Sequence, residues 1–347
     1  MTKDAGRARK PVIGITMGDP AGVGPEVIVK ALGTASVWDV CLPVVIGDVQ
    51  QIRRTAAFLH NDMSIEEIAS APDVPQDRQA IFVLQVGQVP ADLPLGQLSP
   101  LGGEAAYQYV IEAAKLAQAG QIEAICTAPL NKEALHAAGH LYPGHTELLA
   151  ELTGREDFAM VLIAPDLRVI HVSTHVGLKQ AIARATRERE EKVIAIGAEF
   201  LQRIGIAQPR IAVCGINPHA GEHGLFGEGE EEREIVPAIE AMRQRGYNVT
   251  GPLPPDTVFF QARRGEFDLV VAQYHDQGHI PIKVLGLEAG VNVTAGLPIL
   301  RTSVDHGTAF DIAGKGVADA RSMIEAIRLA AQLAQEARAG QRTAPGV

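Results

Sequence analysis

The stretch from residue 268 to residue 283 reads "DLVVAQYHDQGHIPIK" and changes abruptly in character at its middle. Its first half is a short apolar run rich in β-branched residues, which predicts a buried strand. Its second half places five polar side chains within nine positions: His275, Asp276, Gln277, His279 and Lys283. Ligands of open parallel sheets bind beyond the carboxyl ends of the strands, so this strand end indicates a functional site.

The same pattern recurs along the chain. Further apolar runs predict strands at 11–16, 43–47, 81–86, 124–129, 160–165, 169–174 and 210–216. Helical patterns occupy 102–120 and 187–205, and the last clear helix is predicted at 318–338. This alternation predicts an α/β fold with a mostly parallel sheet covered by helices. Other strands also end in reactive residues, as in "GITMGDPAG", "ICTAPLNK", "VSTHVG" and "CGINPHAG", and together they predict one cleft lined by strand ends.

Composition narrows the class of protein. The 347 residues are 46% hydrophobic, which is enough for a large core in two domains or in one big α/β unit. A net charge of -10, with no basic run beyond "GRARK", argues against partners such as nucleic acid or an anionic membrane. No long apolar run and no secretory leader are evident, so we expect a cytoplasmic protein. Cys41, Cys126 and Cys214 lie in apolar stretches and are predicted to be buried free thiols.

Three histidines, His175, His219 and His275, each follow a predicted strand. They are 44 and 56 residues apart, so no local spacing supports a metal motif and the case rests on their equivalent positions. Three neutral imidazoles with an open coordination position form a ligand set for a catalytic divalent metal, most naturally zinc. The alternative is that each histidine is a polar strand-end residue, hydrogen-bonded independently of the other two.

Candidate anion-binding residues also stand out. Lys283, Asn292 and Arg301 fall where apolar runs break, and the alternatives are solvated surface cations or an anionic ligand such as a phosphate or a carboxylate. His145 and Thr146 lie in "YPGHTELLAELTG", where Thr146 is the expected N-cap of a helix. A helix N-terminus is also favourable for an anion, so both roles stay open.

Five motifs resemble the 4-hydroxythreonine-4-phosphate dehydrogenase family of vitamin B6 (pyridoxine) biosynthesis: "TMGDPAGVGPE" (16–26), "GHTE" (144–147), "NPHAGE" (217–222), "YHDQG" (274–278) and "VNVTAGLPILRTSVDHGTAFDIAGKG" (291–316). The resemblance implies a two-domain α/β/α subunit of the isocitrate/isopropylmalate dehydrogenase type, working as a homodimer. We expect residues 1–130 plus 290–347 to form a cofactor-side domain. Residues 131–289 are expected to form the domain for metal, substrate and dimerisation.

The resemblance also implies roles for individual residues. The metal ligands would be His175, His219 and His275, the last supplied by the other subunit, and zinc is the first choice of metal, with magnesium, manganese or cobalt as alternatives. Substrate contacts carry over to His145, Thr146, Lys283, Asn292 and Arg301. The candidates for proton transfer are Lys283 and Asp256.

No G-x-G-x-x-G follows a strand, so a nicotinamide cofactor needs another site. The segment "HGTAFDIAGKG" (306–316) is similar to the adenosine-binding loop of isopropylmalate dehydrogenases. The implied cofactor contacts are His306, Gly307, Thr308, Ala309 and Asp311. Asp311 would accept from the ribose hydroxyls and favour NAD over NADP. The alternative is a glycine-rich turn that precedes a helix.

The implied reaction is oxidation of the C3 hydroxyl of a 4-phosphorylated 3-hydroxy acid by NAD, followed by decarboxylation. The motif "YHDQGHIPIK" resembles the corresponding motif of a sister subgroup, which converts 4-phospho-D-threonate or 4-phospho-D-erythronate to dihydroxyacetone phosphate. The alternative substrate is 4-hydroxy-L-threonine phosphate, giving 3-amino-2-oxopropyl phosphate. From other classes, a metal-dependent aldolase or hydrolase, an acyl- or phosphotransferase and a non-catalytic binding module stay open.

Overall fold

The computed structural model describes residues 9–76, 79–286 and 290–343. These residues form twelve strands: β1 Val12–Thr16, β2 Leu42–Gly47, β3 Ile65–Ile68, β4 Ile81–Gln85, β5 Ala124–Thr127, β6 Ala159–Ala164, β7 Leu167–His171, β8 Ile211–Cys214, β9 Val249–Leu253, β10 Leu269–Ala272, β11 Val291–Ala295 and β12 Arg301–Ser303. Twelve α-helices accompany them in the same described ranges: α1 Gly24–Leu32, α2 Ala35–Val40, α3 Val49–Phe58, α4 Pro100–Gln118, α5 Lys132–Ala137, α6 His145–Leu152, α7 Leu178–Arg184, α8 Arg187–Arg203, α9 Val236–Gln244, α10 Pro255–Arg263, α11 His275–Val284 and α12 Arg321–Thr343.

The described residues divide into two compact units. The first unit contains the chain up to Thr153 together with Pro298–Gln335. The second unit contains Gly154–Leu297 and the described residues from Glu336 onward. The roles that we assigned to 1–130 plus 290–347 and to 131–289 stay predictions.

The first unit is built on six parallel strands in the order β3-β4-β2-β1-β5-β12. Strand β1 lies between β2 and β5, with Gly14 opposite Val44 on one side and Ile125 on the other. Every residue of β1, β2 and β5 is buried, as expected for strands covered by helices on both faces. The ends of β1, β5 and β12 therefore open at one edge of the sheet.

The second unit holds the other six strands, in the order β11-β6-β7-β10-β8-β9. Strands β7, β10, β8 and β9 are parallel, whereas β6 pairs antiparallel with both β7 and β11. Only the turn at 165–166 separates β6 from β7, which is too short for a parallel crossover and requires a hairpin. The prediction of an α/β fold with mostly parallel strands is confirmed.

Side-chain hydrogen bonds to backbone N–H groups explain where helices α3 and α8 begin. The Asp48 carboxylate accepts a hydrogen bond from the Gln51 backbone N–H at 2.6 Å and caps α3. Thr186 caps α8 in the same way, with its Oγ1 3.3 Å from the Arg189 backbone nitrogen. The expectation for Thr146 is wrong, because α6 begins at His145 and Gly144 is its N-cap.

All eight predicted strands are present, and the structure adds β3, β9, β11 and β12. The three cysteines are buried free thiols, as predicted, and burial raises the pKa of Cys41 and of Cys126 to about 12. Within the described ranges, every helix is too short or too polar to cross a lipid bilayer.

Candidate functional site

The second unit brings the three candidate metal ligands to one edge of its sheet. Strand β10 lies between β7 and β8, all three run parallel, and Val270 is in register with Val169 and Ala212. His175, His275 and His219 follow β7, β10 and β8 respectively. Their common exit from adjacent parallel strands is the arrangement that the sequence predicted from their equivalent positions.

Two of these imidazoles are neighbours. The ring centroids of His175 and His275 are 5.7 Å apart, and the His275 side chain is 39% exposed. The His275 Nδ1 lies 2.7 Å from the Asp276 carboxylate, which leaves Nε2 for a ligand. A carboxylate behind an imidazole is the usual support of a metal-bound histidine. The donor chemistry of each of these imidazoles therefore fits a divalent cation such as zinc.

His219 has a different setting. It is exposed, its backbone is left-handed with φ of 54°, and its ring centroid lies 5.8 Å from that of Phe226. Across the described part of a single chain, no three His, Cys, Asp or Glu side chains are placed to hold a metal together. The assignment of all three histidines as ligands to one ion thus stays a prediction.

A row of imidazoles continues behind His275. The His279 ring stacks on His275, with centroids 3.6 Å apart and planes 11° apart, and the His171 ring lies 4.7 Å from His279. Burial, followed by the charge of His275, lowers the pKa of His279 to about 4. Burial, with His279 next in importance, lowers the pKa of His171 to about 3. Both rings are therefore neutral at pH 7. Sequence reasoning named His279 among the polar residues that follow the strand, but it gave His171 no role.

The remaining candidates of the second unit occupy three elements. Lys283 lies in the last turn of α11, half-buried, and burial lowers its pKa. Asn292 is half-buried on β11 opposite Leu162. Asp256 is exposed in the first turn of α10. A lysine with a lowered pKa is better suited to proton transfer than an ordinary surface lysine.

In the first unit, Arg301 is a deeply buried cation. Its side chain is on β12, the residue is 4% exposed, and Nη2 and Nε donate to the Thr127 hydroxyl at 2.7 and 3.2 Å. Burial lowers the Arg301 pKa to about 10, so the guanidinium stays charged at neutral pH. A buried cation at a strand end indicates an anionic ligand.

His145 and Thr146 open helix α6 in the same unit. The His145 Nε2 is buried and has no hydrogen-bond partner within the described ranges. Burial, and after it the charge of Arg301, holds the His145 pKa well below its ordinary value. A neutral imidazole with an unused ring nitrogen is therefore available beside the Arg301 charge.

The predicted cofactor loop is bound to the segment that leads into α1. The Thr308 carbonyl accepts from the Val23 N–H at 3.0 Å, and the Gly314 N–H donates to Glu26 Oε1 at 2.6 Å. The Lys30 ammonium donates to the carbonyl of Gly316 at 2.7 Å. These contacts fix the loop against the sequence "GDPAGVGPE".

A cavity of about 290 Å³ lies beside this loop, lined by Gly22, Glu26, Gln51, Arg54, Phe58 and Gly314 among others. Of the predicted cofactor residues, His306, Gly307 and Asp311 are exposed, Thr308 is buried, and Ala309 has a left-handed backbone with φ of 44°. Their contacts with a cofactor remain a prediction.

Imidazoles that follow the carboxyl ends of parallel strands, as His175, His219 and His275 do here, are characteristic of the ligand sites of α/β enzymes. Residues 39–330 match the family model of the pyridoxal phosphate biosynthetic protein PdxA. The chain therefore belongs to the PdxA family, and it is a dehydrogenase of that family.

Individual relatives are similar over almost their whole length. A D-threonate 4-phosphate dehydrogenase from Cupriavidus necator is 57% identical over 324 residues, covering 93% of this chain and 97% of that protein. Another from Salmonella typhimurium is 52% identical over 326 residues, covering 93% and 98%. The crystal structure of a 4-hydroxythreonine-4-phosphate dehydrogenase from Burkholderia phymatum is 59% identical, with a TM-score of 0.89 over 94% of this chain and 99% of that chain.

Proposed function

We propose that this protein uses NAD to oxidise the C3 hydroxyl of 4-phospho-D-threonate and that decarboxylation then gives dihydroxyacetone phosphate. The observation that carries this proposal is the 57% identity with the Cupriavidus necator D-threonate 4-phosphate dehydrogenase over nearly the full length of both chains. The motif "YHDQGHIPIK", with His279 and Ile280 before Pro281, supports assignment to the same subgroup of the family. 4-Phospho-D-erythronate, which differs in configuration at one carbon, is a further substrate of the same class.

The reaction balances without another reactant. The C3 carbon loses a hydride to NAD and the C3 hydroxyl loses its proton, so a β-keto acid forms. The bond between C1 and C2 then breaks, CO₂ leaves, and C2 takes up a proton. The products are dihydroxyacetone phosphate, CO₂ and NADH.

Residues of this chain are assigned to each task. Arg301 and His145 are proposed to hold an anionic group of the substrate, because a buried guanidinium favours a phosphate or a carboxylate. Thr146 and Asn292 are proposed to add hydrogen bonds. Lys283 is proposed to accept the hydroxyl proton, since its lowered pKa increases the neutral, basic fraction.

His175 and His219, with a third imidazole from His275 of a second copy in a homodimer, are proposed to hold a divalent metal, with zinc as the first choice. When bound, such a cation supplies Lewis-acid stabilisation of the negative charge that develops on oxygen. Asp276 fixes the orientation of the His275 ring, and Asp256 is the second candidate for moving a proton.

NAD is proposed to bind at the loop 306–316, where Asp311 is exposed. A carboxylate there accepts hydrogen bonds from ribose hydroxyls and repels a 2′-phosphate. This is the reason for proposing NAD instead of NADP.

A second candidate substrate is 4-hydroxy-L-threonine phosphate, in vitamin B6 biosynthesis. It is favoured by the 59% identity with the Burkholderia phymatum protein, which is described as a 4-hydroxythreonine-4-phosphate dehydrogenase. The two substrates differ in bearing an oxygen or a nitrogen at C2, next to the reacting carbon.

The test is a direct comparison of purified protein with each phosphorylated acid. We expect NADH absorbance with 4-phospho-D-threonate and NAD, and much less with the amino acid or with NADP. Turnover of the amino acid alone would refute the proposed substrate. An aldolase or hydrolase would produce no NADH, and a transferase would keep its activity in the presence of a chelator.

A further inference from the structure

A buried polar network joins the ends of the three strands that lead to His175, His219 and His275. Its centre is Gln273, the first residue after β10, which is fully buried. Its carbonyl accepts from the Ser173 hydroxyl at 3.0 Å, and its Nε2 donates to the Cys214 carbonyl at 2.9 Å. Its backbone N–H donates to Gln277 Oε1 at 2.7 Å, and Gln277 Nε2 donates to the Gly215 carbonyl at 2.9 Å.

Each contact fixes a strand end that carries a predicted metal ligand. Ser173 lies two residues before His175, and Gln273 lies two residues before His275. Cys214 is the last residue of β8, which leads to His219. Besides the strand pairing, the hydrogen bonds of Gln273 therefore link the three histidine-bearing segments to one another.

One acceptor of this glutamine lacks a donor. Gln273 Oε1 is buried and, within the described ranges, has no hydrogen-bond partner. Both carboxyl oxygens of Glu190, in the first turn of α8, are in the same condition. The two side chains are neighbours, since the Gln273 amide lies close enough to the Glu190 carboxyl group to lower its pKa. Three buried acceptor atoms on these two side chains therefore lack a hydrogen-bond donor within the described ranges.

Within the described ranges, no cation donates a hydrogen bond to these oxygens. The neighbouring Arg189 directs its guanidinium to backbone carbonyls, with Nε 3.0 Å from Val172 O and Nη2 3.2 Å from Phe158 O. Cys214, which also faces Glu190, is a buried thiol. Burial raises the Glu190 pKa to about 8 against the smaller, opposite effects of Gln273 and Arg189. An uncompensated buried carboxylate is strongly unfavourable, whereas a neutral acid can donate one hydrogen bond.

We propose that Glu190 is a neutral carboxylic acid at pH 7, that it donates its proton to Gln273 Oε1, and that Glu190 and Gln273 are positioning residues for the three histidine-bearing strand ends. The protonation rests on the burial of the Glu190 and Gln273 oxygens that have no hydrogen-bond partner within the described ranges, and it does not depend on the metal. The positioning role rests on the proposed function, because it concerns the predicted metal ligands.

The protonation is tested by infrared difference spectroscopy of the purified full-length chain at pH 7, wild type against Glu190→Gln. We expect the carbonyl stretch of a protonated carboxylic acid to be present in the wild type and absent from the variant. If the substitution removes only carboxylate bands, Glu190 is ionised and the proposal is wrong.

The positioning role is tested by zinc affinity, measured by competition with a chromophoric chelator. Glu190→Gln keeps a donor for Gln273 and should bind zinc within about twofold of the wild type. Glu190→Leu removes the donor and should bind zinc about tenfold more weakly or worse, the usual effect of losing a group behind metal ligands. Glu199→Leu, an exposed glutamate on the same helix, should leave zinc affinity unchanged.

The outcomes separate the two claims. Wild-type affinity in a folded Glu190→Leu protein overturns the positioning role and leaves the protonation to the infrared result. If Glu190→Leu does not fold, Glu190→Ala replaces it in the comparison with Glu190→Gln, and equal zinc affinities of these two variants overturn the positioning role. If the wild type itself binds no zinc, the metal part of the proposed function and the positioning role both fail, while the infrared measurement still decides the protonation.

Discussion

Arg301 is the most deeply buried of the charged residues predicted to bind substrate. A guanidinium that is only 4% exposed normally binds an anion. We expect Arg301→Met to raise the KM for the phosphorylated acid by roughly 10- to 100-fold, the equivalent of losing a charged hydrogen bond. Steady-state kinetics check this. The control is Arg210→Met, which breaks an exposed pair with Asp268 and should not change KM. An unchanged KM in Arg301→Met would exclude an anion contact.

Lys283 gives a prediction about pH. A proton acceptor must be neutral, so kcat should rise with pH as Lys283 loses its proton, and burial brings that pKa below the ordinary 10.5. Lys283→Met should lower kcat by about 100- to 10,000-fold and remove the rising limb of the profile. Lys115→Met, at an exposed lysine, is the control. A rising limb that survives in Lys283→Met would assign the base elsewhere, with Asp256 next.

The sequence predicted the positions of single candidate residues better than it predicted their tertiary contacts. The three histidines after strands were found because strand ends are readable from local pattern. The N-cap of α6 was predicted two residues too late, at Thr146, whereas Gly144 is the N-cap. His171 and Glu190 were missed because their importance comes from tertiary contacts: the His279 ring for one and the Gln273 amide for the other.

Helix α1 and the loop 306–316 form the element pair on which cofactor binding is predicted to depend. A Cβ added at Gly22 would lie 2.8 Å from the Thr308 carbonyl, which cannot move without moving the loop. We expect Gly22→Ala to raise the KM for NAD several-fold while the KM for the acid changes little. Gly33→Ala, at the other end of α1, is the control, since the nearest atoms to its Cβ are in the Asn61 side chain at 3.2 Å and the Lys30 carbonyl at 3.4 Å. Equal effects of the two substitutions on the KM for NAD would show that the loop does not contribute to NAD binding.

Elements were predictable where the apolar pattern was strong. The fully buried strands β1, β2 and β5 can be recognised in the sequence as apolar runs with β-branched residues. Strand β3 reads "IEEI", β9 contains Gly251 and Pro252, and β12 is three residues long, so local propensity could not reveal them. Their pairing with neighbouring strands, which a linear pattern does not contain, makes them strands.

At the scale of the whole molecule, the proposal requires a homodimer in which His275 of one copy serves the other. We expect His219→Ala and His275→Ala each to be inactive and folded. Mixing and reassembling the two variants should restore roughly a quarter of wild-type activity, since about half of the dimers are mixed and each has one intact site. A mixture that stays inactive, although mass spectrometry shows mixed dimers, would place all three ligands in one chain.

The central claim is that hydride leaves C3 of 4-phospho-D-threonate. The most direct measurement is turnover of substrate that carries deuterium at C3, with NAD, followed by mass spectrometry of both products. The account predicts deuterium in the reduced nicotinamide, one CO₂ released for each NADH, and dihydroxyacetone phosphate without deuterium. Deuterium that remains in the phosphorylated product, or a product formed without reduced nicotinamide, would contradict it.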